Sequence, residues 1–146
     1  MPAENFLDSN IFVYLFERSE QGKYVQADEL VRENLDNNTG CISYQVIQET
    51  LNAIIRRTGA NSERLSQFLE DILLPFWGIN RIGPTPELYR SGLRIQARYG
   101  FSFYDSLIVA AALGAGCTTL YSEDMQDGQR LEGLTIRNPF AETRAM

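Results

Sequence analysis

Residues 6–16 read FLDSNIFVYLF: a short apolar run ends on Asp8, and a second apolar run begins at Ile11. The first run has the length of a buried strand, and the second opens a helix. A bare carboxylate between the two is costly to bury. Either Asp8 caps the helix that follows, in an Asx-type turn over Asp8-Ser9-Asn10, or it faces a cleft where something positive meets it.

The rest of the chain repeats the alternation of strand and helix. Residues 24–36 place Val25, Leu30, Val31 and Leu35 at helical spacing. After the turn LDNNTG, residues 40–43 read as a short strand. Residues 45–57 form a helix with Ile47, Leu51, Ile54 and Ile55 on one face. Residues 62–73 form another, with Ser62 as its cap and Pro75 as its stop. WGINRIG, residues 77–83, reads as a strand. Thr85 caps a helix that has Pro86 in its first position and ends at Gly100. SFYDSLIVAAALGAG is almost wholly apolar, so it reads as a buried helix. CTTLYS is a strand, residues 123–133 a loop, and LTIRN a last strand. Short apolar strands alternating with helices indicate an α/β fold whose parallel sheet is covered on both faces.

The chain has 146 residues, 44% of them hydrophobic, which suits one domain with a sizeable core. The net charge of −6 argues against a non-specific nucleic-acid binder. It leaves room for a nuclease, because metal ions at an acidic site can supply the positive charge that phosphate requires. Cys41 and Cys117 stand in no metal-ligand spacing and read as small buried residues of a reducing compartment. The chain contains no histidine. Ser-His-Asp and Cys-His catalysis are thereby excluded, along with most zinc sites. We find no leader peptide and no apolar run near the ~20 residues of a membrane span, and expect a soluble cytoplasmic protein.

In open α/β sheets, ligands collect at the carboxyl ends of the strands. Asp8 ends the first strand, Glu49 lies early in the helix after the second, and Asp124 lies just past CTTLYS. Asp105 begins the buried helix, and it reaches the same edge only if that helix starts there. Each acid also has an ordinary use. Asp8 caps a helix, Asp105 completes a capping box with Ser102, Glu49 lies near a positive helix end, and Asp124 is a loop residue. Taken together they suggest more, since carboxylates crowded at one place repel one another unless a cation joins them. All-oxygen donors favour Mg²⁺, with Mn²⁺ as the variant. Such a site suits phosphodiester hydrolysis: one ion lowers the pKa of a bound water, and a second ~4 Å away steadies the leaving oxygen.

FLDSNIFVYLF, SYQVIQETLN, FYDSLIVAAA and LYSEDMQDG, in this order, resemble the PIN-domain ribonucleases, in particular the VapC toxins of VapBC toxin–antitoxin pairs. The likeness runs from about Phe6 to Arg137. It implies a single PIN domain over residues 1–146, with a five-stranded parallel sheet of order 3-2-1-4-5 flanked by helices. It also implies that Asp8, Glu49, Asp105 and Asp124 are the acidic quartet. Asp8, Asp105 and Asp124 would be metal ligands, and Glu49 either a ligand or the group that orients water. Asn10 and Ser122 would support the quartet, and Asp127 would be an extra acid. The implied partners are an RNA substrate, a VapB-like antitoxin whose tail brings a basic side chain to the acids, and a second copy in a homodimer.

Two other readings stand beside the nuclease. One is a catalytically inactive PIN-like module that binds RNA or protein. The other is a phosphoryl transferase with Asp8 as nucleophile, which calls for an Asp where Asn10 stands and a Lys near the acids. IFVYLFE is apolar on all sides, and we read it as a subunit or antitoxin contact rather than as a helix fully covered by its own chain. Arg90, Arg94 and Arg98 form a stripe on one helix, which we read as a solvated face with local salt bridges rather than a phosphate-binding strip.

Overall fold

The computed structural model describes residues 4–141. Residues 1–3 and 142–146, the ends of the span read as one domain, lie outside the described residues. Strand β1 (Asn5–Leu7) runs between β2 (Gly40–Cys41) and β3 (Thr119–Tyr121), parallel to both. Phe6 and Leu7 are fully buried. Strands covered on both faces have no need of polar alternation, which is why they read as plain apolar runs. β5 (Leu134–Arg137) lies parallel beside β3, and β4 (Arg130–Leu131) pairs antiparallel with β5.

Helix α1 (Ser9–Phe16) leaves the end of β1, and α2 (Gln21–Asn37) returns the chain to β2. After β2 come α3 (Tyr44–Thr58), α4 (Ser62–Phe68), α5 (Leu74–Asn80), α6 (Pro86–Tyr99) and α7 (Phe103–Gly114), which feeds β3. Every residue of α7 from Ser106 to Ala112 is buried. α6 lies close against it at Gly92, where a Cβ would stand 2.6 Å from Leu107 Cδ2. Thr85 caps α6 by accepting from the Leu88 N–H, as its position before Pro86 indicated.

The strand order is β2-β1-β3-β5-β4, not 3-2-1-4-5, and the sheet is not wholly parallel. Two local events cause the difference. First, Pro75 does not stop the helix. Residues Leu69–Leu73 open into a π turn, the Leu74 N–H reaches Leu69 O, and Pro75 is carried in the first turn of α5 without ending the helical run. α5 therefore occupies most of WGINRIG. What remains of the expected third strand is a single parallel bridge from Ile82 to Ser43 beside β2. Second, the segment read as loop contains β4. Glu132 and Gly133, both at positive φ, turn it back on β5 in a two-residue hairpin. A smaller correction concerns α4, which is capped by Asn61 rather than Ser62: Asn61 Oδ1 accepts from the Arg64 N–H.

The aromatic residues of α1 are met from within the chain. Phe12, Tyr14 and Phe16 lie edge-to-face on Phe76, Phe140 and Phe68, with ring centroids 5.4, 5.1 and 5.2 Å apart. Leu15 and Phe16 nonetheless stay half-buried. No helix among the described residues is long and apolar enough to cross a membrane.

Candidate active site

Asp8 caps the helix, the first of the uses the sequence left open, and its second oxygen meets a hydroxyl. Its Oδ1 accepts from the Ser9 N–H at 2.7 Å and caps α1, while its Oδ2 accepts from Ser122 Oγ at 2.9 Å. Ser122 reaches it because β3 pairs with β1 in a register that sets Leu7 opposite Tyr121. Asp8 is only 4% exposed. Burial pushes its pKa up to about 7; the Ser9 and Ser122 hydrogen bonds pull against this, and the charges of Glu49 and Asp105 add to it. Near neutral pH this carboxyl is thus divided between its two protonation states.

The other three acids of the quartet lie close enough to feel one another's charge. Glu49, on α3, is held above the usual carboxylate range by partial burial and then by Asp105 and Asp124, against a hydrogen bond from Gln45. Asp105, in the first turn of α7, is raised by burial and by Asp124, with Ser102 acting the other way. The Ser102 hydroxyl accepts from the Asp105 N–H at 3.2 Å, so the cap forms while the carboxyl stays within range of the charges of Asp8, Glu49 and Asp124. α7 therefore begins at the carboxyl edge of the sheet. Asp124 follows β3, its N–H donating to Ser122 Oγ and its Oδ2 accepting from Asn10 Nδ2 at 3.2 Å. Ser122 and Asn10 thereby tie Asp124 to the segment that carries Asp8.

Asp127 does not join this group through any described contact. Its Oδ1 accepts the Asn138 N–H at 2.8 Å and ties the loop after β3 to the residue that follows β5. Among the described residues, no three acidic or cysteine side chains stand as placed in an arrangement that would hold one metal ion. Asn10 Oδ1 is buried at the same place without a hydrogen-bond donor.

Sequence reading missed several residues around the acids. Gln45, one turn before Glu49 on α3, donates to Glu49 Oε2 at 3.2 Å and to the Tyr104 carbonyl at 3.1 Å, joining α3 to the start of α7. Its spacing of four from Glu49 was the available signal. Lys23, for which no motif offered a place, binds Glu123, the residue before Asp124, at 2.6 Å. The arginine stripe is occupied locally. Arg94 makes a two-pronged pair with Glu132 at 3.0 and 3.1 Å, and Arg90 lies 3.8 Å from Glu87.

No curated protein matches the sequence. Among solved structures, a toxin–antitoxin complex from Klebsiella pneumoniae superposes with a TM-score of 0.66 at 18% identity, over 93% of this chain and 98% of that one. VapBC from Salmonella typhimurium, solved bound to DNA, gives 0.62 at 18% identity over 94% and 98%. The Mycobacterium tuberculosis toxin VapC20, which cleaves the sarcin–ricin loop, gives 0.60 at 18% identity over 83% and 90%. These likenesses establish a shared fold. The model of the PIN domain matches residues 6–127, a span that contains Asp8, Glu49, Asp105 and Asp124, and the chain belongs to the PIN domain family.

Proposed function

We propose that the chain is a metal-dependent endoribonuclease of the VapC toxin kind, hydrolysing RNA phosphodiester bonds at Asp8, Glu49, Asp105 and Asp124. The observation that carries this reading is the convergence of four carboxyls from four elements. Three of them have pKa values raised by burial and by their neighbours' charge. Such a cluster lacks positive charge, and its donors are hard oxygens, which suits Mg²⁺ or Mn²⁺. The orphaned Asn10 Oδ1 adds a neutral oxygen beside the acids. Asp8, Asp105 and Asp124 are the ligands we assign. A divalent ion bound there supplies a water of lowered pKa and neutralises charge on the phosphate.

The chain's own groups do the rest. Ser122 and the Ser9 N–H hold the Asp8 carboxyl in one orientation. Gln45 donates to Glu49, the residue to which we assign the orienting of the attacking water. Asn10 fixes the Asp124 oxygen. The test is cleavage of total RNA by the purified chain with Mg²⁺, with Mn²⁺ and with EDTA. Cutting that survives EDTA excludes this mechanism. That no three acids among the described residues stand as placed to hold one ion favours a second reading: a PIN-like module that binds RNA or protein without cutting. It predicts RNA retention and no cleavage with either metal.

The partners we assign follow from two surfaces. Between α1, α2 and α4 lies a groove of about 820 Å³ with Leu15, Phe16, Val31 and Phe68 in its lining and Arg18 and Arg64 at its rim. It begins at the far end of α1 from Asp8. An apolar helix of a VapB-like antitoxin fits there, with its tail reaching the acids. Tyr89, Leu93, Phe103 and Tyr104 are exposed together on α6 and the start of α7, Tyr104 at 64%. We assign that face to the homodimer. Leu93→Glu then yields a monomer in sedimentation velocity, and a wild-type chain that sediments as a monomer refutes the assignment.

A further inference from the structure

The segment that carries Asp124 is gripped by residues outside the acidic quartet. Tyr14 Oη donates to Glu123 Oε1 at 2.6 Å. Lys23 Nζ donates to Glu123 Oε2 at 2.6 Å and to Tyr14 Oη at 3.1 Å, and lies 3.3 Å from Glu20. The Lys23 and Glu123 side chains are only 22% and 15% exposed, unlike a surface ion pair open to solvent and salt. Lys23 also lies over the Tyr14 ring, 4.8 Å from its centroid. It is the chain's sole lysine.

Tyr14 stands four residues after Asn10, on the same face of α1. That face therefore grips two successive residues of one loop: Asn10 holds the Asp124 carboxylate and Tyr14 holds the Glu123 carboxylate. The N-terminus of the same helix is capped by Asp8. One rigid element thus sets the distance between the first and last acids of the quartet, and Lys23 from α2 locks the grip from behind.

We propose that Tyr14, Lys23 and Glu123 form a clasp that positions Asp124 relative to Asp8. The clasp rests on the cation-site reading given above. Its members touch neither substrate nor ion, so they are positioning residues. The groups that hold a metal's ligands from behind typically change affinity by about 10–100-fold when lost.

The test is K23Q/E123Q, which removes the ion pair and leaves the summed charge of the two positions unchanged. A shift in cation affinity then reports geometry and not field. Two readouts are taken: Mn²⁺ affinity, by titration of the metal alone followed by electron paramagnetic resonance, and hydrogen exchange of the Asn10 side-chain amide and the Asp124 backbone N–H in metal-free protein. In K23Q/E123Q we expect Mn²⁺ affinity to fall about tenfold and both amides to exchange faster, while the melting temperature stays close to that of the wild type. Lys23→Arg, which can keep the pair, retains wild-type values. Unchanged Mn²⁺ affinity, or unchanged exchange at both amides, overturns the clasp. A wild-type chain that binds no Mn²⁺ removes the cation site instead, and the exchange rates then decide the clasp alone.

Discussion

Asp8→Asn is expected to lower RNA cleavage on the order of a thousandfold while raising the melting temperature of the metal-free protein at pH 8. Both effects come from one buried carboxyl. Its rise from 3.8 to about 7 corresponds to about 4 kcal/mol of unfavourable free energy when the group is forced to ionise in the fold. Asparagine carries no charge to bury. It also offers one acceptor where Asp8 uses two, for Ser9 and Ser122, so the net gain is about 1–3 kcal/mol, or several degrees. Between about pH 4 and 7 the folded chain holds a proton on Asp8 that the unfolded chain has released. Stability from this group is therefore complete below pH 4 and lost as the pH rises through 7. The wild type minus Asp8→Asn difference in unfolding free energy isolates this slope from the other carboxyls. A variant that cuts RNA at the wild-type rate removes Asp8 from the chemistry. One that melts lower than wild type at pH 8 removes the charge-burial argument.

The second large effect is in the packing that holds α1 in place. Phe76→Ala should cost about 3–5 kcal/mol and lower the melting temperature by about 10 °C. Phe76 is fully buried and meets Phe12 edge-to-face. It also covers Gly40 of β2 so closely that a Cβ there would lie 2.5 Å from its Cε1. Helix α5, helix α1 and strand β2 thus share one contact, and truncating the ring opens a cavity among all three. Denaturant unfolding measures the loss, and a cost below about 1 kcal/mol would mean that the three elements do not depend on this ring.

The parallel strands and their helices were legible because each is marked locally, by an apolar run, a cap or a closing glycine. The nearness of Asp8 to Asp124 followed from the same marks, since each lies just past a strand. The third strand was misread because Pro75 ordinarily ends a helix. The Leu69–Leu73 π turn that absorbs it has no single-sequence signature. β4 was missed because two residues are too few to show a period. Asp127 was an extra acid only by the family resemblance, and its carboxylate accepts the Asn138 amide. Lys23 lies a hundred positions from Glu123 in sequence, and only the tertiary fold brings them together.

The two borders of the sheet have a consequence for crowded solutions. On one side the outermost strand, β4, is two residues long; on the other, β2 is bordered by the lone Ile82 bridge and by α5. Among the described residues, neither border offers a run of unpaired amides long enough to template a foreign strand. The described sheet is blunted at both ends against growth into fibrils.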